Sequence, residues 1–414
     1  MSVRSWVAGR REEIIALLEG MIAIDSVTGN EGELARFCGS WLGEHGIEHH
    51  LVPCKDRENV ISVVGEGDPT LIIAGHLDTV PPSAGDWAYG PFTPKVVEGK
   101  VYGLGASDLH ASTVGAYFAS LYLRECSLPG RFMTAFTIEE ETTGDGSRLF
   151  LDWAEREGFL DFARTECVVC EPTDLDLVCL GNRGSSFVVL TVRGRGGHGS
   201  RPHRAKNPLP KLQEILRSLC ELEERWARDY PDPEFGATTL TPTCVQAGDL
   251  ESTNVIPEYA RAVVDCRPTP VLYADGLALF REGVTECLER AREEGFEITW
   301  EELYAREGQK LSEEHPLARI VRGVLREDLG VDASFGVTPA GNDAVFYAAK
   351  GIPTINKVGP GHPACAHQVN EHVSIENLLL GVELYTWIGL RRFGLEPGRG
   401  GDPEAHKKAG RGQN

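Results

Sequence analysis

The chain has 414 residues, of which 41% are hydrophobic and 25% charged, and a formal net charge of −21 at pH 7. That is the composition of a globular protein with room for two domains, and so acidic a surface repels nucleic acid and anionic membrane, so neither is expected as a partner. No apolar run approaches the ~20 residues of a membrane helix, and the opening stretch MSVRSWVAGRREEIIALLEG lacks the apolar core and cleavage site of a secretory signal, so a cytoplasmic location is expected.

Apolar residues recur at helical period over 4–23 and 30–45, and in short strand-like runs at 59–64 and 71–75. ASTVGAYFASLYLREC (111–126) reads as a buried helix, RFMTAFTI (131–138) as a strand, GSRLFLDWAEREG (146–158) as a helix and ECVVCE (166–171) as a strand. Apolar strands alternating with helices predict an α/β domain with a mixed, mostly parallel sheet covered on both faces. The pattern changes near 178. FVVLTVRGRG (187–196) and EYARAVVDCR (258–267) alternate like half-exposed strands, and 208–229 and 273–295 are amphipathic helices, which predicts a small α+β insert. After about 300 the first pattern resumes, with helices over 315–329, 342–350 and 374–392 and a strand over 353–356. The outer domain is therefore expected to be split, 1–178 with 296–395, around an insert at 179–295; the Gly-, Pro- and charge-rich 396–414 reads as a disordered tail. The 11 cysteines are scattered, and CVVC at 167–170 lies inside an apolar run with no second pair at zinc spacing, so they read as small reduced core residues.

The chemistry gathers at strand ends. LIIAGHLDTVPP (71–82) runs a buried strand into His76 and Asp78, which share a side at strand period and sit where α/β sheets place their sites. Asp78 is suited to accept the second ring N–H of a metal-ligating His76. VYGLGASDLHAS (101–112) offers Asp108 on a Gly-rich turn, and CEPTD ends another strand in Glu171. AFTIEEETTGDGSR (135–148) places Glu139, Glu140 and Glu141 after a strand, and adjacent carboxylates repel unless a cation or proton compensates. GPGHPACAHQVNEHV (359–373) supplies His362, His367 and His372. Singly, these are explained by a hydrogen-bonded turn, a helix N-cap or an acidic loop. Together, imidazoles and carboxylates without thiolate suit zinc, with cobalt or manganese as substitutes. Five or so ligands exceed one tetrahedral site, so two metals sharing a bridging carboxylate are expected.

GHLDTVPP, GASDLHAS, EEETTGDGSR, CEPTD, GGHGSRP, NVIPE and AHQVNE, in this order over residues 5–392, resemble the acetylornithine deacetylase and succinyl-diaminopimelate desuccinylase family of two-zinc hydrolases, which includes glutamate carboxypeptidases, dipeptidases and aminoacylases. The resemblance implies two zinc ions per chain: one held by His76 and Glu171, the other by Glu141 and His367, with Asp108 bridging and Asp78 orienting His76. It implies Glu140 as general base; a frame slipped by one would give the two glutamate roles to Glu139 and Glu140. His362 and His372 fall outside the motif and read as loop histidines. The insert resembles a dimerisation or lid domain, whose His198 reaches a partner subunit's site and steadies the oxyanion. Arg183, Asn254 and Arg267 match positions that hold a substrate carboxylate, and Gly341 and Asn342 a substrate-binding loop. Leu104 and Leu109–His110 depart from the Arg and Met-Lys common there. The expected activity is hydrolysis of an N-acyl amino acid by a homodimer, with a dipeptidase or carboxypeptidase of the same family, or a non-catalytic binding paralogue, as alternatives.

Overall fold

The computed structural model describes residues 1–396; apart from Glu396, the expected tail at 396–414 lies outside the described residues. The chain forms two compact units. One comprises Met1–Leu180, Lys310–Gly336 and the chain from Asn342 onward; the other comprises Gly181–Gln309 with Val337–Gly341.

The first unit is built on six strands: β1 (Glu48–Cys54), β2 (Arg57–Gly65), β3 (Thr70–His76), β4 (Arg131–Thr137), β5 (Thr165–Val169) and β6 (Thr354–Ile355). Their order is β1-β2-β4-β3-β5-β6. β1 and β2 pair antiparallel, as do β2 and β4, whereas β4, β3, β5 and β6 run parallel. Every residue of β3 is buried, the mark of a strand covered on both faces. Successive side chains point to opposite faces. Leu71 and Ile73 therefore enter the core that contains helices α1 (Ala111–Arg124) and α3 (Ile375–Arg392), while Ile72 and Ala74 enter the one that contains α2 (Asp145–Arg156). α1 is buried all round from Ala111 to Leu123 and packs along α3. The two helices come close at Gly115, where a Cβ would lie 3.1 Å from the Gly381 carbonyl carbon and from the Tyr385 ring.

The second unit has a four-stranded antiparallel sheet, in the order Thr239–Ala247, Tyr259–Arg267, Ser185–Arg193, Glu297–Arg306. Tyr259–Arg267 alternates outward and buried residues, and its inward Ala260, Ala262 and Val264 join a core with helices Pro208–Asp229 and Ala278–Arg290. The insert was expected to end at 295. It continues to Gln309 because Glu297–Arg306 hydrogen-bonds to Ser185–Arg193 as an edge strand, and residues 337–341 return to it as well. An edge strand that alternates half-buried and exposed residues carries a weak apolar signal, which the sequence pattern assigned to the outer domain.

Gly283 packs against the buried Trp226 ring, so close that a Cβ would come within 2.4 Å of it. Gly283→Val is expected to lower the stability of this unit by about 1–3 kcal/mol, the usual cost of overpacking. Urea unfolding followed by tryptophan fluorescence measures this; a midpoint equal to that of the unsubstituted protein contradicts the packing described.

Candidate metal centre

Three parallel strands end on one edge of the first unit. Register pairs His76 with Thr137 and Ala74 with Val169, so Glu171, two residues past Val169, comes level with His76, and the segment after Thr137 carries the three glutamates to the same edge. Asp108 arrives from the turn Ala106–His110, which leaves helical geometry at Asp108 and Leu109. His367, at φ +60°, comes from the loop before α3.

The side chains converge. His76 Nε2 lies 3.3 Å from Asp108 Oδ1 and 3.6 Å from Glu171 Oε1. His367 Nε2 lies 3.4 Å from Asp108 Oδ2 and 2.9 Å from Glu141 Oε1. One Asp108 oxygen thus faces each imidazole. Ligand atoms of His76, Glu140 and Glu171, and likewise of His76, Asp108 and Glu141, lie within 4.8 Å of one another. Asp108 Oδ1 is buried without a hydrogen-bond partner among the described residues, as a ligand atom awaiting a cation would be.

The electrostatics agree. Burial, then Glu171, push the Glu140 carboxyl well above the ordinary carboxylate range. Burial and Asp108 push Glu171 up to about 7. Burial opposes charge on His76, but Asp108 and Glu171 outweigh it and raise its pKa well above the ordinary imidazole value. His367 is pushed up to about 10 by its contacts with Asp108 and Glu141. The carboxylates hold more negative charge than the two imidazoles neutralise, so the donor set fits divalent cations.

The glutamates divide cleanly. Glu140 and Glu141 face the cluster, while Glu139, at φ +63°, turns away to ion pairs with Lys55 and Arg57. His362 lies in a loop, its Nδ1 accepting from the Ala364 N–H at 3.0 Å, whereas His372, expected in a loop, opens a short strand, His372–Ser374, paired antiparallel with Lys100–Tyr102, and its Nδ1 lies 2.9 Å from the Asn370 carbonyl. Leu104, Leu109 and His110 are buried; burial lowers the His110 pKa to about 3, so an uncharged ring fills the place of the common Lys.

Asp78 differs from expectation in the atom it uses. His76 Nδ1 lies 2.9 Å from the Asp78 backbone carbonyl and 3.6 Å from its carboxylate. The carboxylate instead accepts the Glu140 and Glu141 N–H groups, both at 3.1 Å, and the Thr28 hydroxyl at 2.9 Å. It shapes the glutamate loop, because the turn after β4 would otherwise leave those N–H groups unpaired. Glu371 does the same for Asp108, accepting the Ser107 and Asp108 N–H groups at 2.8 and 2.9 Å. Thr28 and Glu371 were not foreseen; Glu371 stands inside AHQVNE, so a signal was present.

Of the expected substrate contacts, Asn342 belongs to the first unit and Arg183, His198, Asn254, Arg267 and Gly341 to the second. The Asn342 amide is committed to the fold, donating to the Asn356 carbonyl at 2.9 Å and accepting the Ala344 N–H at 3.1 Å. Arg267 is held by Asp265, two residues back on the same strand face, at 2.8 and 3.1 Å, and Arg183 donates through Nε to the Phe235 carbonyl at 2.8 Å. These pairings take up donors that were expected to be open. His198 Nδ1 accepts the Ser200 N–H at 3.1 Å, and its Nε2 lies 3.5 Å from the Asn254 amide nitrogen. Gly341 lies near the Asn182 and Ser185 side chains.

The model of peptidase family M20/M25/M40 matches residues 72–388. A succinyl-diaminopimelate desuccinylase from Paracoccus denitrificans is 30% identical over 387 residues, covering 90% of this chain and 96% of that one. One from Xanthomonas campestris is 31% identical, covering 88% and 95%. Among solved structures, an M20 metallo-carboxypeptidase from Sulfolobus solfataricus aligns with a TM-score of 0.73 at 18% identity, covering 91% of this chain and 98% of that one. A dinuclear metal-binding M20 peptidase from Bacillus subtilis aligns at 0.69 and 16%, covering 94% and 100%.

The titrations fix a sign. In the chelated protein, stability from His367 is present in full below its unfolded pKa of ~6.5 and is lost as pH rises through about 10. The raised Glu171 adds a penalty that grows above its unfolded pKa of ~4.3 until about 7. Both make the metal-free fold weaker as pH rises, whereas metal binding takes neutral imidazoles and ionised carboxylates. The Tm gap between zinc-loaded and EDTA-treated protein is expected to widen from about pH 6 to about pH 9; a constant or narrowing gap in differential scanning fluorimetry contradicts this.

Proposed function

The chain belongs to peptidase family M20/M25/M40, and from that premise we propose that it is a metal-dependent amidohydrolase that removes the acyl group from an N-acyl amino acid, in the manner of the succinyl-diaminopimelate desuccinylases it resembles. The observation that carries the reading is Asp108, which turns one carboxylate oxygen to each of two imidazoles beside a half-buried Glu140 of raised pKa.

His76 and Glu171 are assigned to one cation, Glu141 and His367 to a second, and Asp108 to both; zinc suits the donors, with cobalt or manganese as substitutes. Bound there, such ions supply Lewis-acid polarisation of the amide carbonyl and a water of lowered pKa. Glu140 takes the proton of the attacking water and returns it to the leaving amine, work for which a carboxyl pKa above the ordinary range is an advantage. Asp78 keeps Glu140 and Glu141 in place through their N–H groups. His198 is assigned as the donor for the oxyanion. Family resemblance assigns the substrate carboxylate to Arg183, Asn254 and Arg267 and a loop contact to Gly341 and Asn342. Since Arg267 and the Asn342 amide already have partners, we assign the carboxylate first to Asn254 and to the Arg183 donors beyond Phe235.

A homodimer through the second unit is part of the proposal. Its support is the edge strand Thr239–Ala247, exposed from Thr241 through Gln246, with Val245 56% exposed; an exposed sheet edge is a pairing surface. All 11 cysteines are free, which suits a reducing cytoplasm. No helix among the described residues is long and apolar enough to cross a membrane.

The test is amine release from N-succinyl-diaminopimelate, N-acetylornithine, other N-acyl amino acids and dipeptides, with and without added zinc. Metal-dependent release from an acyl amino acid is expected. Release from dipeptides alone replaces the deacylase reading with an exopeptidase, and no turnover by fully metallated protein replaces it with a binding paralogue. Glu140→Gln is expected to lower kcat by about 10²–10⁴-fold, the range for loss of a general base, with metal content unchanged; turnover within a few-fold of the unsubstituted protein removes Glu140 from that role.

A further inference from the structure

Behind the metal-facing glutamates lies a second charged cluster. Arg57, at the start of β2, extends Nη1 to Glu31 and Nη2 to Glu139. The Glu31 side chain is fully buried and that of Glu139 is 7% exposed; Arg57 itself is 12% exposed. Glu31 does more than pair with the arginine. Its Oε2 accepts the Gly29 N–H at 2.9 Å, and its Oε1 faces the Glu139 N–H at 3.3 Å. Lys55 grips the other Glu139 oxygen and reaches Asp145 at 2.9 Å. The Thr143 hydroxyl donates to Glu139 at 2.9 Å, and the Glu139 carbonyl accepts the Thr143 and Gly144 N–H groups at 3.1 and 2.7 Å.

Glu139 is thus held at its N–H, its carbonyl and both carboxylate oxygens, in a left-handed conformation that a side-chain-bearing residue adopts only when its surroundings impose it. The next two residues are Glu140 and Glu141. Asp78 holds their N–H groups from the other side.

We propose that Arg57 is a positioning residue for Glu140 and Glu141: by bridging two buried carboxylates with one guanidinium fork, it fixes the turn at Glu139 and so sets the direction of the two side chains that follow. A lysine at 57 would offer a single ammonium and lose the planar fork.

The kinetic arm of the test rests on the amidohydrolase reading; the cobalt arm does not. Apo-protein is titrated with Co²⁺, and the visible spectrum reports coordination geometry. For Arg57→Ala we expect an altered spectrum, Co²⁺ affinity weakened about tenfold at the site that Glu141 serves, and kcat about 10²-fold lower with KM within about threefold, the scale of a 1 Å misplacement of reacting groups. Arg57→Lys is expected to fall between Arg57→Ala and the unsubstituted protein, and added methylguanidine to restore part of the Arg57→Ala loss. A cobalt spectrum and affinity unchanged in folded Arg57→Ala overturn the proposal, whatever the substrate proves to be. A lowered Tm with the spectrum and kcat per folded molecule unchanged also overturns it, because that is a purely structural role. If Arg57→Ala does not fold, Glu139→Gln keeps the shape and removes the gripped charge. An altered cobalt spectrum in that variant sustains the proposal, and an unaltered one overturns it.

Discussion

The site depends on the register of three parallel strands. β4, β3 and β5 are tied so that His76 stands opposite Thr137 and Ala74 opposite Val169. A slip of one residue in either pairing would turn every side chain of the slipped strand to the other face. Leu71 and Ile73 would then trade cores with Ile72 and Ala74, and Glu171 would leave the His76 side of the sheet. The two hydrophobic cores on either side of the sheet therefore enforce the spacing of polar groups they never touch.

That precision is needed because the cluster works against its own electrostatics. Asp78, Asp108, Glu140, Glu141 and Glu171 lie in one mostly buried volume with two imidazoles. Backbone N–H groups answer part of the charge: Asp78 takes two from the glutamate loop, and Glu371 takes two from the turn that carries Asp108. Burial first, and the remaining charge second, make Glu171 and Glu140 hard to ionise, and that remaining charge is what a cation would neutralise. The neighbouring cluster of Glu31, Glu139, Arg57 and Lys55 is arranged the opposite way, with each buried carboxylate matched by a cation of the protein's own. One loop thus passes from Glu139, held by Arg57 and Lys55, to Glu140 and Glu141, which face the imidazole and carboxylate cluster, and the change occurs at a single peptide.

His76, Asp108, Glu171 and the glutamate run were legible in the sequence because each ends or follows a local apolar pattern, and strand ends are where such sheets build sites. The alternation of strands and helices was legible for the same reason. Thr28, Glu31 and Arg57 were not, because their meaning lies in contacts across the fold: Arg57 meets Glu139 only after β2 is in place. Glu371 stood in a visible motif, but its hold on Ser107 and Asp108 shows only in the folded chain. Asp78 was found for its position and given the wrong atom, since period and spacing do not say whether a carbonyl or a carboxylate faces the ring. The pairing of Arg267 with Asp265 was available in DCR, as residues two apart on a strand share a face. The end of the insert was missed because Glu297–Arg306 is an edge strand whose residues are exposed or half-buried throughout.

The chain order of the clustered residues has a consequence for how the protein is made. His76, Asp108, Glu140, Glu141 and Glu171 all precede the second unit, and His367 follows it. During synthesis an acidic half-site leaves the ribosome first. Well over a hundred residues of another domain are then translated, and that domain has its own hydrophobic core to fold around. Only afterwards does the imidazole arrive that lies between Asp108 and Glu141. The cluster is therefore completed only after the second unit has been translated, and a ribosome that stalls within the insert leaves a product with nearly every acidic group of the site and only half of its histidines.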